Sequence, residues 1–104
     1  MWILRTLTDG YPEQTFRILP GTVKTIGRAT GANFIVDAAL VSRVHCRLTV
    51  HPDGRLELCD LESTNGTFVN GARVGQPIPL ASGDRIQVGR IELIALRDEA
   101  DYHD

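Results

Sequence analysis

Cysteine is scarce in this chain, which has only Cys46 and Cys59 among its 104 residues. Small secreted domains that depend on disulfides usually carry more. Both cysteines lie in segments with strand character. We therefore expect reduced thiols, in or near the core, of a protein from a reducing compartment, although the sequence leaves a Cys46–Cys59 bond open.

Long apolar runs and an excess of one charge are also missing. No segment approaches the roughly 18 apolar residues of a membrane-spanning helix. The first residues, Met1 to Arg5, lack the apolar run of a signal peptide. The formal net charge is −2, which gives no sequence-wide attraction to nucleic acid or to an acidic membrane. These observations predict a cytoplasmic protein that binds neither.

The 3.6-residue apolar period of an amphipathic helix is absent as well. Instead, short β-prone runs alternate with turn residues, among them ten glycines and five prolines. The clearest run is Val44 to Val50, in which every second side chain is apolar and His45, Arg47 and Thr49 face the other way. This pattern predicts an all-β sandwich or barrel. We expect one domain at residues 1–96 and an acidic tail at 97–104.

Two Asn-Gly pairs, Asn65-Gly66 and Asn70-Gly71, flank the β-prone run Thr67 to Val69. Asn-Gly suits tight turns because both residues tolerate positive φ, so Asn70-Gly71 is predicted to be a hairpin turn. Ser63 and Thr64 precede the first pair. Such a polar row is a common local turn device, and it can also donate hydrogen bonds to an anion; taken alone, the stretch favours the turn.

Four short motifs follow one another in the chain. They read TIGR at 25–28, SRVH at 42–45, STNG at 63–66 and NG at 70–71. In this order, on an all-β background, they resemble the forkhead-associated (FHA) domain family over roughly Trp2 to Leu96. The resemblance implies an FHA/SMAD-like β-sandwich of about eleven strands, with the binding loops at one end.

The same resemblance implies a function, which is to bind a phosphothreonine in an extended peptide. Arg28, the Ser42 hydroxyl, and the hydroxyl or main chain of Thr64 would contact the phosphate. Asn65 would hold the peptide backbone beside it, and Arg43 matches a position that contacts peptide backbone or phosphate. The implied partner is a phosphothreonine-containing Ser/Thr kinase or its substrate.

Five further residues are implied to support the loops: Gly27, His45, Gly66, Asn70 and Gly71. For His45 the two lines of reasoning disagree. Strand alternation places it opposite Val44 and Cys46, whereas the resemblance makes it a buried residue that hydrogen-bonds loop backbone. Our prediction for His45 is the one that the resemblance implies: a ring that hydrogen-bonds loop backbone.

Elementary chemistry agrees with a phosphate site. A phosphothreonine carries about −1.5 to −2 charges at neutral pH, and an arginine fork with small hydroxyls suits its oxygens. If loop acids such as Asp37 and Glu62 faced the site, they would reduce the region of positive electrostatic potential that attracts a phosphate. The family chooses the side chain three positions after the phosphothreonine with residues just before Ser-x-x-His. Leu40 and Val41 stand there, which predicts a mild apolar preference.

Other functions fit the residues less well. A Ser42–His45 nucleophile pair would lack an orienting acid and a Gly-x-Ser-x-Gly elbow. A metal site of His45, Cys46, His51 and Cys59 would need side chains from opposite strand faces and has no Cys-x-x-Cys spacing. We thus expect no catalytic residue, no metal and no cofactor.

Two binding alternatives remain. One is a phosphate-independent scaffold that binds partners through a sheet face or edge. The other is binding of a phosphorylated Thr6, Thr8 or Thr15 of a neighbouring copy. The oligomeric state stays open.

Overall fold

The computed structural model describes residues 1–98, which form eleven strands and no helix. The strands are β1 (Trp2–Thr6), β2 (Thr15–Ile18), β3 (Thr22–Gly27), β4 (Phe34–Ile35), β5 (Cys46–Val50), β6 (Leu56–Asp60), β7 (Thr67–Val69), β8 (Ala72–Arg73), β9 (Ile78–Leu80), β10 (Arg85–Val88) and β11 (Ile91–Arg97). The predicted all-β fold is thereby confirmed. Nothing in this part of the chain is a helix that could cross a membrane.

The strands form two sheets. The first has six strands in the order β2-β1-β11-β10-β7-β8, and the second has five in the order β4-β3-β5-β6-β9. Pairing is antiparallel throughout except between β3 and β4. In β5, Cys46, Leu48 and Val50 are buried while Arg47 is exposed, so one face of this sheet packs inward. The first sheet supplies the opposing layer through side chains such as Leu93 of β11.

The alternation predicted for Val44 to Val50 fails at its beginning. β5 starts at Cys46, Val44 is 39% exposed, and the His45 side chain is fully buried. The expectation that Val44 shares the buried face of Cys46 was therefore wrong. The chain bends before Cys46 because the His45 ring is held by hydrogen bonds to the backbone of Ser42 and Gly66.

The cysteines are free thiols, Cys46 buried and Cys59 half-buried. Burial, followed by the nearby Asp60 carboxylate, raises the pKa of Cys46 to about 12. A thiol with so high a pKa is a weak nucleophile, because the thiolate is the reactive form. Cys46 is therefore a core residue. Among residues 1–98, no three histidine, cysteine or acidic side chains are grouped as a metal site.

The two ends of the described chain lie side by side. Trp2 of β1 pairs with Arg97 of β11, and the amide of Asp98 donates to the carbonyl of Met1 at 2.8 Å. β11 thus extends one residue past the domain end predicted at 96. The rest of the predicted acidic tail, residues 99–104, lies outside the described residues.

Candidate functional site

Three loops meet at one end of the sandwich: β3–β4, β4–β5 and β6–β7. The amides of Arg28 and Ala29 donate to the carbonyls of Ser42 and Arg43, at 2.9 and 3.2 Å, which joins the first two loops. The amide of Thr64 donates to Ser42 Oγ at 3.0 Å and thereby joins the third. Two of these hydrogen bonds join backbone groups and the third ends on the Ser42 hydroxyl oxygen, and together they fix the relative positions of the loops.

A shallow depression lies between the three loops. It is lined by Arg28, Ala39, Leu40, Val41, Ser42, Arg43, Thr64 and Asn65. All five residues predicted to bind a phosphopeptide are in this set, and no acidic residue is. Asp37 and Glu62, the acids considered from the sequence, are exposed but do not line it.

Arg28 presents a fork to this depression. Its Nε donates to the carbonyl of Val41 at 3.0 Å, which orients the guanidinium. The side chain is exposed and makes no ion pair with a described residue. A guanidinium has five donors in a planar fork, so its two terminal nitrogens remain available for an anion.

The hydroxyl and amide groups across the depression are only partly used. Ser42 Oγ accepts from the Thr64 amide, so its own proton is free to donate outward. Asn65 Nδ2 donates to the carbonyl of Leu40 at 3.0 Å, which leaves its Oδ1 free to accept. Thr64, Asn65 and Arg43 are exposed. The floor of the depression is thus rich in unused polar atoms.

One buried ring holds two of these loops. His45 Nδ1 accepts from the amide of Ser42 at 3.0 Å, and its Nε2 lies 2.9 Å from the carbonyl of Gly66. An amide only donates and a carbonyl only accepts, so the proton must sit on Nε2. The neutral ring in this tautomer satisfies both partners at once.

Leu40 and Gly66 have left-handed backbone conformations, at φ of 71° and 86°. Leu40 is 45% exposed beside the depression, and its carbonyl accepts from Asn65. A non-glycine residue with positive φ costs free energy and is often found at functional sites. The loop thereby holds an apolar side chain in solvent at the edge of the candidate site.

Asn70 and Gly71 lie outside the three loops. Their φ angles of 51° and 85° form the predicted two-residue hairpin turn between β7 and β8. The Asn70 side chain donates to Asp84 Oδ1 at 3.0 Å and accepts from the amide of Arg85 at 2.9 Å. It therefore ties this turn to the start of β10.

Gly27 is a point of close backbone contact under the site. A Cβ placed on it would lie 1.9 Å from the carbonyl oxygen of Arg43 and 2.9 Å from Val44 Cα. We predict that Gly27→Ala lowers the free energy of unfolding by about 2–3 kcal/mol, because backbone and not a flexible side chain must move. Urea unfolding measures this loss. Gly31→Ala is the matched control, since nothing lies within 4 Å of its added Cβ; equal losses in the two variants would refute the close-contact explanation.

Sequence reasoning missed Asp60, which organises the third loop from beneath. Its Oδ1 accepts from the hydroxyls of Ser63 and Thr67, both at 2.6 Å, and its Oδ2 accepts from the amide of Ser63 at 3.2 Å. Ser63 and Thr67 are buried. An Asp three residues before a Ser at a strand end is a local turn signal that would have indicated this contact.

These hydrogen bonds predict an acid-sensitive loop. Burial raises the pKa of Asp60, but the hydrogen bonds from Ser63 and Thr67 outweigh it and hold the pKa below the ordinary 3.8. The stability that the carboxylate contributes is therefore present above that ordinary pKa and is lost as pH falls through the folded value. We expect Asp60→Asn to flatten the decline in unfolding free energy measured below about pH 4. The exposed control Asp37→Asn should keep the decline, and an unchanged slope in Asp60→Asn would contradict the prediction.

Known proteins that are similar in sequence contain the FHA domain that the motifs resemble. The FHA domain family model matches residues 24–89, which is more than half of the chain. The FHA domain-containing protein FhaA of Mycobacterium tuberculosis is 43% identical over 89 residues, covering 85% of this chain and 16% of FhaA. The ABC transporter ATP-binding/permease protein Rv1747 of the same species is 42% identical over 80 residues, covering 77% of this chain and 9% of the transporter.

An oxoglutarate dehydrogenase inhibitor of Corynebacterium efficiens is 32% identical over 83 residues, covering 80% of this chain and 57% of the inhibitor. The chain therefore spans less than two thirds of the length of these relatives. Among solved structures, the FHA domain of FhaA, complexed with the intracellular domain of Rv3910, superposes with a TM-score of 0.80 at 36% identity over 91% of this chain and 99% of that one. An FHA domain from a study of phosphothreonine-dependent interactions gives 0.82 at 35% identity, over 93% and 96%. The motifs, the sandwich and these similarities agree, and the chain belongs to the FHA domain family.

Proposed function

We propose that this domain is a recognition module of Ser/Thr-kinase signalling that binds phosphothreonine in an extended segment of a partner protein. The observation that carries the proposal is the convergence of Arg28, Ser42, Arg43, Thr64 and Asn65 on one depression that has no acidic residue in its lining. A related domain was solved in a study of phosphothreonine-dependent FHA interactions. Another relative, EmbR of Mycobacterium tuberculosis, was solved with a low-affinity phosphopeptide at 25% identity to this chain.

The proposed contacts follow from the donors. The terminal nitrogens of Arg28 bind two phosphate oxygens, and the outward hydroxyl protons of Ser42 and Thr64 reach the remaining acceptor directions. Asn65 holds the peptide main chain next to the phosphothreonine, and Arg43 adds a second positive charge. A hydrogen bond to a charged group contributes about 1.5–3 kcal/mol. Two or three of them therefore raise the affinity for the phosphorylated peptide above that for the unphosphorylated one by orders of magnitude.

The same geometry supports binding without catalysis. His45 Nδ1 accepts from the Ser42 amide and not from its hydroxyl, and Nε2 is committed to Gly66. The ring is therefore not placed to remove the Ser42 hydroxyl proton, as a nucleophile pair would need. We also propose that the domain acts in the cytoplasm, where a Ser/Thr kinase would phosphorylate its partner.

Binding of oriented peptide libraries tests this function. Phosphothreonine, phosphoserine and unphosphorylated libraries are compared on the folded domain by calorimetry or array. We expect selection of the phosphothreonine library, with a mild preference for an apolar residue three positions after it, beside Leu40. Binding that is indifferent to phosphate would overturn the proposal in favour of a phosphate-independent scaffold. Selection of an acidic or basic residue three positions after the phosphothreonine would refute only the role given to Leu40.

A further inference from the structure

A third arginine lies against the loop cluster, on the strand that forms a hairpin with β7. Arg73 belongs to β8, the edge strand of the six-stranded sheet. A Cβ on Gly66 would lie 3.0 Å from Arg73 Nε and 3.1 Å from its Cζ. The guanidinium is thus packed over the backbone of Gly66, directly beside Asn65 of the candidate site.

This guanidinium lies close to the Gly66 backbone, and its charge is unpaired within the part of the chain that the structure describes. Arg73 is exposed and forms no ion pair within residues 1–98. The arginines Arg55 and Arg85, by contrast, lie 2.7 and 3.4 Å from the carboxylates of Asp53 and Glu92. A Cβ at position 66 would displace the Arg73 side chain, so Gly66 permits this close packing as well as the positive φ of 86°.

Beyond Arg73 lies a second, mainly apolar depression. It is lined by Val69, Ala72, Val74 and Ile78, together with Arg73 itself, Gly75 and Gln76. The Arg73 side chain therefore stands between the two concave surfaces, touching Gly66 on one side and bordering the apolar depression on the other. A ligand that leaves the phosphate site across Gly66 meets a positive charge first and apolar side chains next.

We propose that the phosphothreonine-bearing partner continues along this path, with an anionic group on Arg73 and an apolar side chain in the second depression. The anionic group is a carboxylate or a second phosphate, since a guanidinium binds either one bidentately. The proposal rests on the phosphothreonine function and extends its footprint from the three loops to the β8 edge. Arg73 is accordingly a specificity-determining residue.

Phosphothreonine peptide libraries with long flanks test this footprint. Each flanking position is varied among Ala, Glu, phosphoserine and Leu, at low and high salt. We expect wild-type protein to select an anion and, further along the same flank, an apolar residue. Arg73→Gln should lose the anion selection, about two- to fivefold at low salt, and should retain phosphothreonine dependence. Ala72→Gln, which narrows the second depression at its exposed rim, should lower the apolar selection.

Two matched variants make the result interpretable. Arg17→Gln removes an exposed arginine from β2, at the opposite edge of the same sheet, and Ala81→Gln enlarges an exposed alanine away from both depressions. Anion selection that persists in Arg73→Gln, or that is lost equally in Arg17→Gln, would overturn the inference while leaving the phosphothreonine function in place. A wild-type domain that ignores the phosphothreonine would overturn both.

Discussion

Arg28→Ala is expected to weaken phosphothreonine binding by about one to two orders of magnitude, because it removes charge-assisted hydrogen bonds of about 1.5–3 kcal/mol. The fold should survive. The Arg28 side chain is exposed, and its amide keeps the 2.9 Å bond to Ser42 that joins the loops. The only internal hydrogen bond described for the guanidinium runs from Nε to the carbonyl of Val41.

Titration calorimetry with one selected phosphopeptide measures the change, and urea unfolding confirms that the variant is folded. Arg28→Lys keeps the charge but not the planar fork, so its affinity should lie between those of wild type and Arg28→Ala. Arg17→Ala is the matched control, since it removes an equally exposed arginine from the far edge strand. An Arg28→Ala domain that binds as wild type does would show that the depression is not the phosphate site.

His45→Ala is expected to cause the largest loss of stability among these variants, about 3–5 kcal/mol in the free energy of unfolding. The ring is fully buried, so its removal leaves a void. It also leaves the amide of Ser42 and the carbonyl of Gly66 without their partners. Since those groups belong to two different loops, the depression between the loops should lose its shape as well.

Chemical denaturation measures the stability, and amide hydrogen exchange at Ser42 reports the freed loop. His51→Ala is the control: that histidine is only half-buried, and its ring lies 3.8 Å from the exposed Glu57 carboxylate. We expect a change below about 1 kcal/mol there. A His45→Ala domain as stable as His51→Ala, with unchanged exchange at Ser42, would refute the role assigned to the ring.

Much of the fold is predictable from local patterns. The alternation of β-prone runs with turn residues predicted the all-β class, because short strands between tight turns leave a strong local signal. Asn70-Gly71 is a clear case, since its positive φ angles are a property of the dipeptide itself. The family resemblance also implied one common site for Arg28, Ser42, Arg43, Thr64 and Asn65. All five line one depression.

The remaining features depend on contacts between distant segments. Local alternation placed Val44 in the core, but hydrogen bonds from the His45 ring to Ser42 and Gly66 decide the bend there. Features that depend on how segments pack cannot be predicted from the sequence of one segment alone.

The paired ends of β1 and β11 bear on how the domain can be handled. Gly89, in the turn between β10 and β11, packs against Ala39 and Leu40 of the loop cluster. The seven residues of β11 then lead away from that cluster to Arg97, opposite Trp2. At about 3.3 Å per residue, the Trp2–Arg97 pair lies some 20 Å from the depression. A tether attached beside the Trp2–Arg97 pair, to a sensor chip or a fusion partner, therefore leaves the loops facing solution.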